Sequence, residues 1–428
     1  MTDDTSRPFD RRSFLKLSGT TVTAAGLAGC RTGSQGNSDT ITLGVLAPTS
    51  TNNPAGRSIV DGAKLAKDRI NADGGILGKE VDLAIKDTEG KASTAKSVYQ
   101  DLVLKEGATA TFGVFSSEAL MKLMDSFAQQ EKIHMTTGAA TPQSSQLVSE
   151  HYDKYKYQFR TGPFNAVQLG YSMGEFAKNA FGNMGFRKIA LLIEDREWTL
   201  PIRKVLNQTF PKTPFDVVAK ETYSTDIRSF SPLYDKFEQH DADVAFVAMA
   251  HGGSSQAIVQ WARNQRNFAF GGVHVPDQLP SFYEQTKRAA AYTFTENIAT
   301  PESTITSKTQ PFVTAYKNKF EQYPVYTGYI THDAVQQYAA VAEKQGTVDS
   351  GKMVSGLEQS SYTGTYGTIE YQGKGQQYAH DVIYDPTKVS PLFQQWQPVA
   401  SNPNKGTQEV IYPKDELTSK YVSPPWVR

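Results

Sequence analysis

The chain has 428 residues, with 44 Lys+Arg balanced by 44 Asp+Glu and a single Cys. That length exceeds one ordinary domain core and points to two or three domains, while 39% hydrophobic and 11% aromatic residues exclude a mainly disordered chain. Zero net charge gives no case for a nucleic-acid binder, and one cysteine excludes an internal disulfide framework and any multi-cysteine zinc or iron–sulfur site.

Residues 1–29 read as an export signal. A charged start, Arg11-Arg12-Ser13-Phe14-Leu15-Lys16, precedes an apolar run from Leu17 to Ala28 that is too short and too rich in Gly and Thr to span a membrane. The paired arginines resemble a twin-arginine signal, with Asp10 standing where Ser or Thr is usual. Leu27-Ala28-Gly29-Cys30 resembles a lipobox, which implies cleavage before Cys30 and lipid attachment on it. The other reading of Cys30 is an incidental thiol in a discarded peptide. Residues 30–39, polar and rich in Gly, Ser and Asn, read as a tether. No later segment is long and apolar enough to cross a bilayer.

From Thr40 onward strands and helices alternate. Ile41 to Leu46 is an apolar run with the length of a buried strand, and Ile59, Ala63, Ala66 and Ile70 recur at helical spacing over Gly56 to Asn71. Asp73-Gly74-Gly75 stops that helix. Val81, Leu83 and Ile85 alternate as a second strand. A helix over Ser93 to Glu106, a strand over Ala108 to Val114, a helix over Ser117 to Gln130 and a short strand over Ile133 to Met135 follow. This β-α-β-α order is that of a parallel sheet with helices on both faces.

Tyr152 to Asn165 breaks the rhythm, and a second series begins. It comprises a helix over Val167 to Phe181, a strand over Lys188 to Ile193, a helix around Lys204 and a strand over Asp216 to Tyr223. A strand over Val244 to Met249, a helix over Ser255 to Asn264 and a strand over Phe270 to Val275 complete it. Helices near Thr309 to Phe320 and Thr331 to Lys344, then short strands over Gly367 to Tyr371 and Asp381 to Asp385, finish the chain. The fold class is therefore α/β, with two parallel-sheet lobes and no fixed-period repeat.

Asp61-Gly62-Ala63 through Ile70-Asn71-Ala72-Asp73-Gly74-Gly75-Ile76-Leu77-Gly78 resembles the first helix and turn of type I periplasmic solute-binding proteins of the branched-chain amino-acid group. Gly113-Val114-Phe115-Ser116-Ser117, Gly138-Ala139-Ala140-Thr141, Phe159-Arg160-Thr161-Gly162-Pro163, Ala262-Arg263 and Thr331-His332-Asp333-Ala334-Val335 continue the resemblance in order. It implies two doubly wound lobes joined by a three-stranded hinge, closing on ligand as a Venus flytrap. Lobe 1 would be 40–162 plus 289–360, and lobe 2 would be 163–288 plus 361–428. It further implies a monomeric ABC-importer subunit on the outer face of the membrane, held by lipid, which hands a small solute to permease subunits with a separate ATPase and needs no cofactor, metal or nucleic acid.

The residues present suit such a ligand. Ser116-Ser117 ends a strand and begins a helix, where free backbone N–H groups favour an anion. The loop after the next strand offers further N–H groups and one hydroxyl, and both loops lie at carboxyl ends of strands. The resemblance implies ligand contact from Phe115, Ser116, Ser117, Ala139, Ala140 and Thr141, with Trp198 where relatives often place a Tyr. The structural alternatives are a helix cap at Ser117, a turn at Thr141 and a packing role for Trp198. Departures lie in the second lobe: Val273 and Asn165 fall at positions where relatives carry acids, and His251 near a Tyr. His251 and His274 would then meet an anion or a carbonyl, or serve structure. An ammonium in a closed cleft needs a counter-charge, for which Asp277 and Asp333 are the nearest candidates. Otherwise the solute is a carboxylate or amide without an α-ammonium.

An exported enzyme is the rival class, but no His-Glu-x-x-His, Gly-x-Ser-x-Gly or Walker A pattern occurs. Gly74-Gly75-Ile76-Leu77-Gly78-Lys79 follows a helix instead of preceding one, and Ser93-Thr94-Ala95-Lys96 lacks a companion Lys-Thr-Gly. A sensor subunit using the same fold is the second rival.

Overall fold

A computed structural model describes residues 40–50, 53–162 and 164–427. The export signal, the tether and Cys30 lie outside the described residues.

Five strands build the first sheet: β1 (Thr40–Ala47), β2 (Glu80–Asp87), β3 (Ala110–Gly113), β4 (His134–Thr136) and β5 (Gln158–Arg160). They run parallel in the order β2-β1-β3-β4-β5. β6 (Lys188–Glu194), β7 (Asp216–Tyr223), β8 (Val244–Met249), β9 (Ala269–His274) and β10 (Phe294–Asn297) open a second sheet. A small hairpin, β11 (Tyr362–Thr363) and β12 (Thr368–Ile369), comes next, and β13 (Leu392–Val399) and β14 (Asn402–Tyr412) then rejoin the second sheet. Its order is β14-β13-β10-β9-β8-β6-β7, parallel from β7 to β10 and antiparallel at β13 and β14.

Position in the sheet explains composition. β8, flanked on both sides, buries all six residues of Val-Ala-Phe-Val-Ala-Met, as expected of a strand covered on both faces. β2 and β7 lie at sheet edges and retain exposed residues. Helix Pro54–Ala72 lies along helix Tyr326–Gln345 beside the first sheet, so a late segment of the chain completes the early lobe.

Most expected elements form, several with their expected bounds: Ser117–Gln130, Asp216–Tyr223 and Val244–Met249. The differences concentrate after residue 289. Phe294–Asn297 pairs with β9 and β13, so the chain returns to the first lobe's helices after Asn297, later than expected. Residues 361–382 stay with the first sheet: the Thr365 hydroxyl donates to Asp333 at 2.9 Å, and the Val382 N–H donates to the Arg160 carbonyl at 3.0 Å. The last passage between sheets therefore lies between Val382 and Leu392. Only Thr368–Ile369 of the expected strand over Gly367 to Tyr371 is a strand, and Asp381 to Asp385 contributes isolated bridges.

The β13–β14 hairpin was not expected, because Leu-Phe-Gln-Gln-Trp-Gln shows no apolar alternation. Gln394 and Gln395 are nevertheless fully buried. Gln394 accepts from the Asn297 side chain at 2.9 Å, and the Gln395 amide donates to the Tyr292 and Val422 carbonyls at 3.0 and 2.8 Å. Satisfied amides can occupy a buried strand. Among the described residues no helix is long and apolar enough to cross a membrane.

Candidate functional site

A cleft of about 620 Å³ opens between the two sheets, lined by residues at the carboxyl ends of strands from both. The first wall is built from the β3 and β4 ends. Gly113 and Val114 both take positive φ, +111° and +63°. A side chain at Gly113 would meet the Leu46 carbonyl at 2.2 Å. For a β-branched residue such as Val114 this conformation is strained, as functional loops often are. Beyond the turn Phe115, Ser116 and Ser117 line the cleft.

Ser116, not Ser117, is the helix cap. Its hydroxyl accepts from the Ala119 N–H at 3.2 Å and donates to Glu118 at 2.8 Å. Ser117 is the first helical residue, so the opening N–H groups of a 14-residue helix lie at the cleft. The second loop sits tightly against the first: a Cβ on Gly138 would lie 2.9 Å from both Phe115 Cα and the Val114 carbonyl. Tyr326 closes this wall, its hydroxyl reaching the Gly138 carbonyl at 3.4 Å.

The second wall is made of side chains. Glu194 ends β6 and is 2% exposed. Its Oε1 accepts from Trp198 Nε1 at 2.7 Å. Its Oε2 accepts from the Ala250 and His251 N–H groups at 2.9 and 3.2 Å and lies 2.7 Å from His251 Nδ1. Burial opposes the charge, but His251, the Ala250 N–H and Trp198 outweigh it and hold this carboxyl below its ordinary range. Because Nδ1 faces a carboxylate, it carries the imidazole proton, and the buried Nε2 of the cleft-lining His251 has no protein partner among the described residues. Glu296, on β10, also lines the cleft at 4% exposure; burial pushes it up to about 8 against the Ser172 hydroxyl. Phe164, Leu169, Val273, Val275 and Ile298 supply apolar surface between the polar groups. One ion pair spans the cleft, Arg196 to Glu118 at 3.3 Å.

Of the residues expected at the site, Phe115, Ser116, Ser117, Ala140, Trp198, His251 and Val273 line this cleft. Four do not. Ala139 is fully buried, and its carbonyl accepts from Arg160. The Thr141 hydroxyl accepts from the Gln143 N–H at 3.3 Å, a turn bond. Asn165 caps helix Ala166–Phe176 and donates to Asp381 at 2.9 Å. His274 is fully buried, its Nδ1 accepts from the Asp277 N–H at 3.1 Å, and burial depresses its pKa to about 4.

The acids named as counter-charges are structural too. Asp277 accepts from the Thr293 hydroxyl at 3.1 Å and Asp333 from Thr365, and neither lines the cleft. In place of the acids missing at Val273 and Asn165, the cleft has the Glu194 carboxylate at the end of β6, and Glu296 on β10 adds a carboxyl that burial keeps largely protonated. Glu194 carried a signal, an acid closing an apolar strand; Glu296, in a four-residue strand, carried none.

A model of the periplasmic binding protein family matches residues 40–384. The chain belongs to the periplasmic binding protein family. Members of this family bind small-molecule solutes outside the cytoplasm and work with ABC permease components; they are substrate-binding proteins, not enzymes. A comparison with curated proteins finds no match. Among solved structures, the fold is similar to a putative branched-chain amino acid ABC transporter from Silicibacter pomeroyi (TM-score 0.76, 20% identity, covering 90% of this chain and 100% of that one). It is also similar to the branched-chain amino acid transporter substrate binding protein LivJ from Streptococcus pneumoniae in complex with isoleucine (TM-score 0.73, 19% identity, 87% and 100%). A third similar structure is a solute binding protein of an ABC transporter from Rhodopseudomonas palustris in complex with 3,4-dihydroxy benzoic acid (TM-score 0.71, 17% identity, 86% and 97%). At these identities the likeness establishes the fold.

Proposed function

We propose that this periplasmic binding protein is the lipid-anchored solute-binding subunit of an ABC importer, exported by the twin-arginine route and taking a small amino acid of branched-chain type. The observation that carries the reading is the opposition, across one cleft, of the Ser117–Gln130 helix start and the Glu194 carboxylate. The Ser117 hydroxyl and the N–H groups of the helix start, with the Gly138–Ala140 loop, receive the solute carboxylate. Glu194 and His251 face the ammonium. Trp198 and the apolar residues between the polar groups cover the side chain. Closure of the lobes then removes the solute from water and presents both lobes to the permease.

A second reading, a carboxylate or amide lacking an α-ammonium, has one specific support: Glu194 already holds four protein donors. In a sensor the same closure would signal to a receptor; permease and ATPase genes found beside this gene would favour import, and a kinase gene would favour sensing.

Equilibrium dialysis of labelled leucine against the purified full-length chain tests the lead reading. Saturable one-site binding that falls at least tenfold in Ser117→Ala is expected, with the solute recovered unchanged. Absence of binding, or consumption of the solute, contradicts it.

A further inference from the structure

Among the described residues, the second wall holds two buried side-chain oxygens without a protein donor. Glu296 Oε2 and Gln278 Oε1 are both unpartnered, on side chains 4% and 6% exposed that line the cleft. The orientation of the Gln278 amide is fixed, because its Nε2 donates to the Glu296 main-chain carbonyl at 2.9 Å. Reversing it would set two oxygens against each other, so Oε1 is the atom left over. Buried acceptors are normally paired, and an exception within a binding cleft is a place where a ligand donor fits.

We infer that Glu296 and Gln278 form a distal subsite that takes a nitrogen-bearing, N–H-donating end of the solute, a primary amide or an amine. The inference rests on the reading that the cleft binds an amino acid by its head group, and it departs from that reading in the side chain, placing a polar terminus where a branched-chain solute has methyl groups. Phe164, Leu169, Val275 and Ile298 add apolar lining to the same cleft. An aliphatic terminus placed there would leave both oxygens unpaired in a closed site. Sites built to hydrogen-bond a substrate group discriminate strongly against analogues lacking it.

Calorimetric titration of the full-length chain with three probes of similar size tests this: leucine, asparagine and 2,4-diaminobutyrate. Asparagine presents an amide and diaminobutyrate an amine where leucine presents methyl groups. At least one polar probe is expected to bind roughly tenfold or more tighter than leucine, and whichever does so identifies the amide or the amine. Gln278→Met and Glu296→Met, compared by the ratio of polar-probe to leucine affinity, are expected to shrink that preference. Leucine binding as tightly as both polar probes, or a preference unchanged in both variants, overturns the subsite and leaves the amino-acid reading standing. Failure of all three probes to bind overturns the amino-acid reading and the subsite with it. Should neither variant fold, the wild-type ratio alone decides.

Discussion

The two walls of the cleft are built from different material. The first presents main-chain N–H groups, hydroxyls and small residues, positioned by a strained turn at Gly113-Val114 and the close approach at Gly138. The second presents carboxyls, an imidazole, an indole and an amide, carried on the ends of four strands. Backbone groups suit the invariant part of a solute, its carboxylate, because their geometry depends on the turn and not on side-chain identity. Side-chain groups suit the variable part, because one substitution changes them. On this view generic capture resides in the first lobe and selectivity in the second.

The largest expected effect tests the second wall. Glu194→Ala strips the acceptor from the Ala250 and His251 N–H groups, His251 Nδ1 and Trp198 Nε1. It should cost about 3 kcal/mol of stability, since each buried donor left unpaired costs about 1–3 kcal/mol with partial relaxation, and it should abolish solute binding. Urea unfolding and a leucine titration measure the two; a loss of binding without any loss of stability would place Glu194 outside the support of His251 and Trp198.

The next effect is a pH dependence. Glu296 and Asp277 are both held up to about 8 by burial. Unfolded, each ionises near its ordinary carboxylate value. Their contribution to stability is therefore full at acid pH and is lost as pH rises toward 8. Between pH 6.5 and 8, where unfolded histidines are largely neutral, stability should fall by up to about 1.4 kcal/mol per pH unit for each group. Denaturant titrations of Glu296→Gln should show roughly half the wild-type slope; an unchanged slope contradicts the assignment.

Smaller effects belong to the first wall and to the mouth. Ser117→Ala should weaken solute affinity about tenfold, the loss of one hydrogen bond to a charged group, with stability nearly unchanged because Ser116 holds the cap. Arg196→Ala, which breaks the half-exposed pair with Glu118, should change stability by less than about 1 kcal/mol, and any effect on affinity should fade in high salt.

The contrast between the walls also explains what was legible in the sequence. Ser116 and Ser117 are legible from a strand-to-helix boundary, a local signal, whereas Phe115 and Ala140 come from the resemblance. Trp198 and His251 were found through resemblance, and both line the cleft. Glu296 and Gln278 were not found, because nothing local marks a residue as facing a cleft formed by strands far apart in the chain. The resemblance places Asn165 and Thr141 at the site; instead Asn165 caps a helix and donates to Asp381, and Thr141 holds a turn. In the fold, alternating strands and helices up to β9 were readable by periodicity. The late hairpin was not, since Gln394 and Gln395 are buried by hydrogen bonding and not by hydrophobicity.

The most direct test of amino-acid capture between these two walls is calorimetric titration of the purified full-length chain with each proteinogenic amino acid, repeated on Glu194→Ala. Saturable heat at one site per chain for at least one amino acid, lost in the variant, is expected. No heat with any amino acid, or heat unaltered by the substitution, would contradict the assignment.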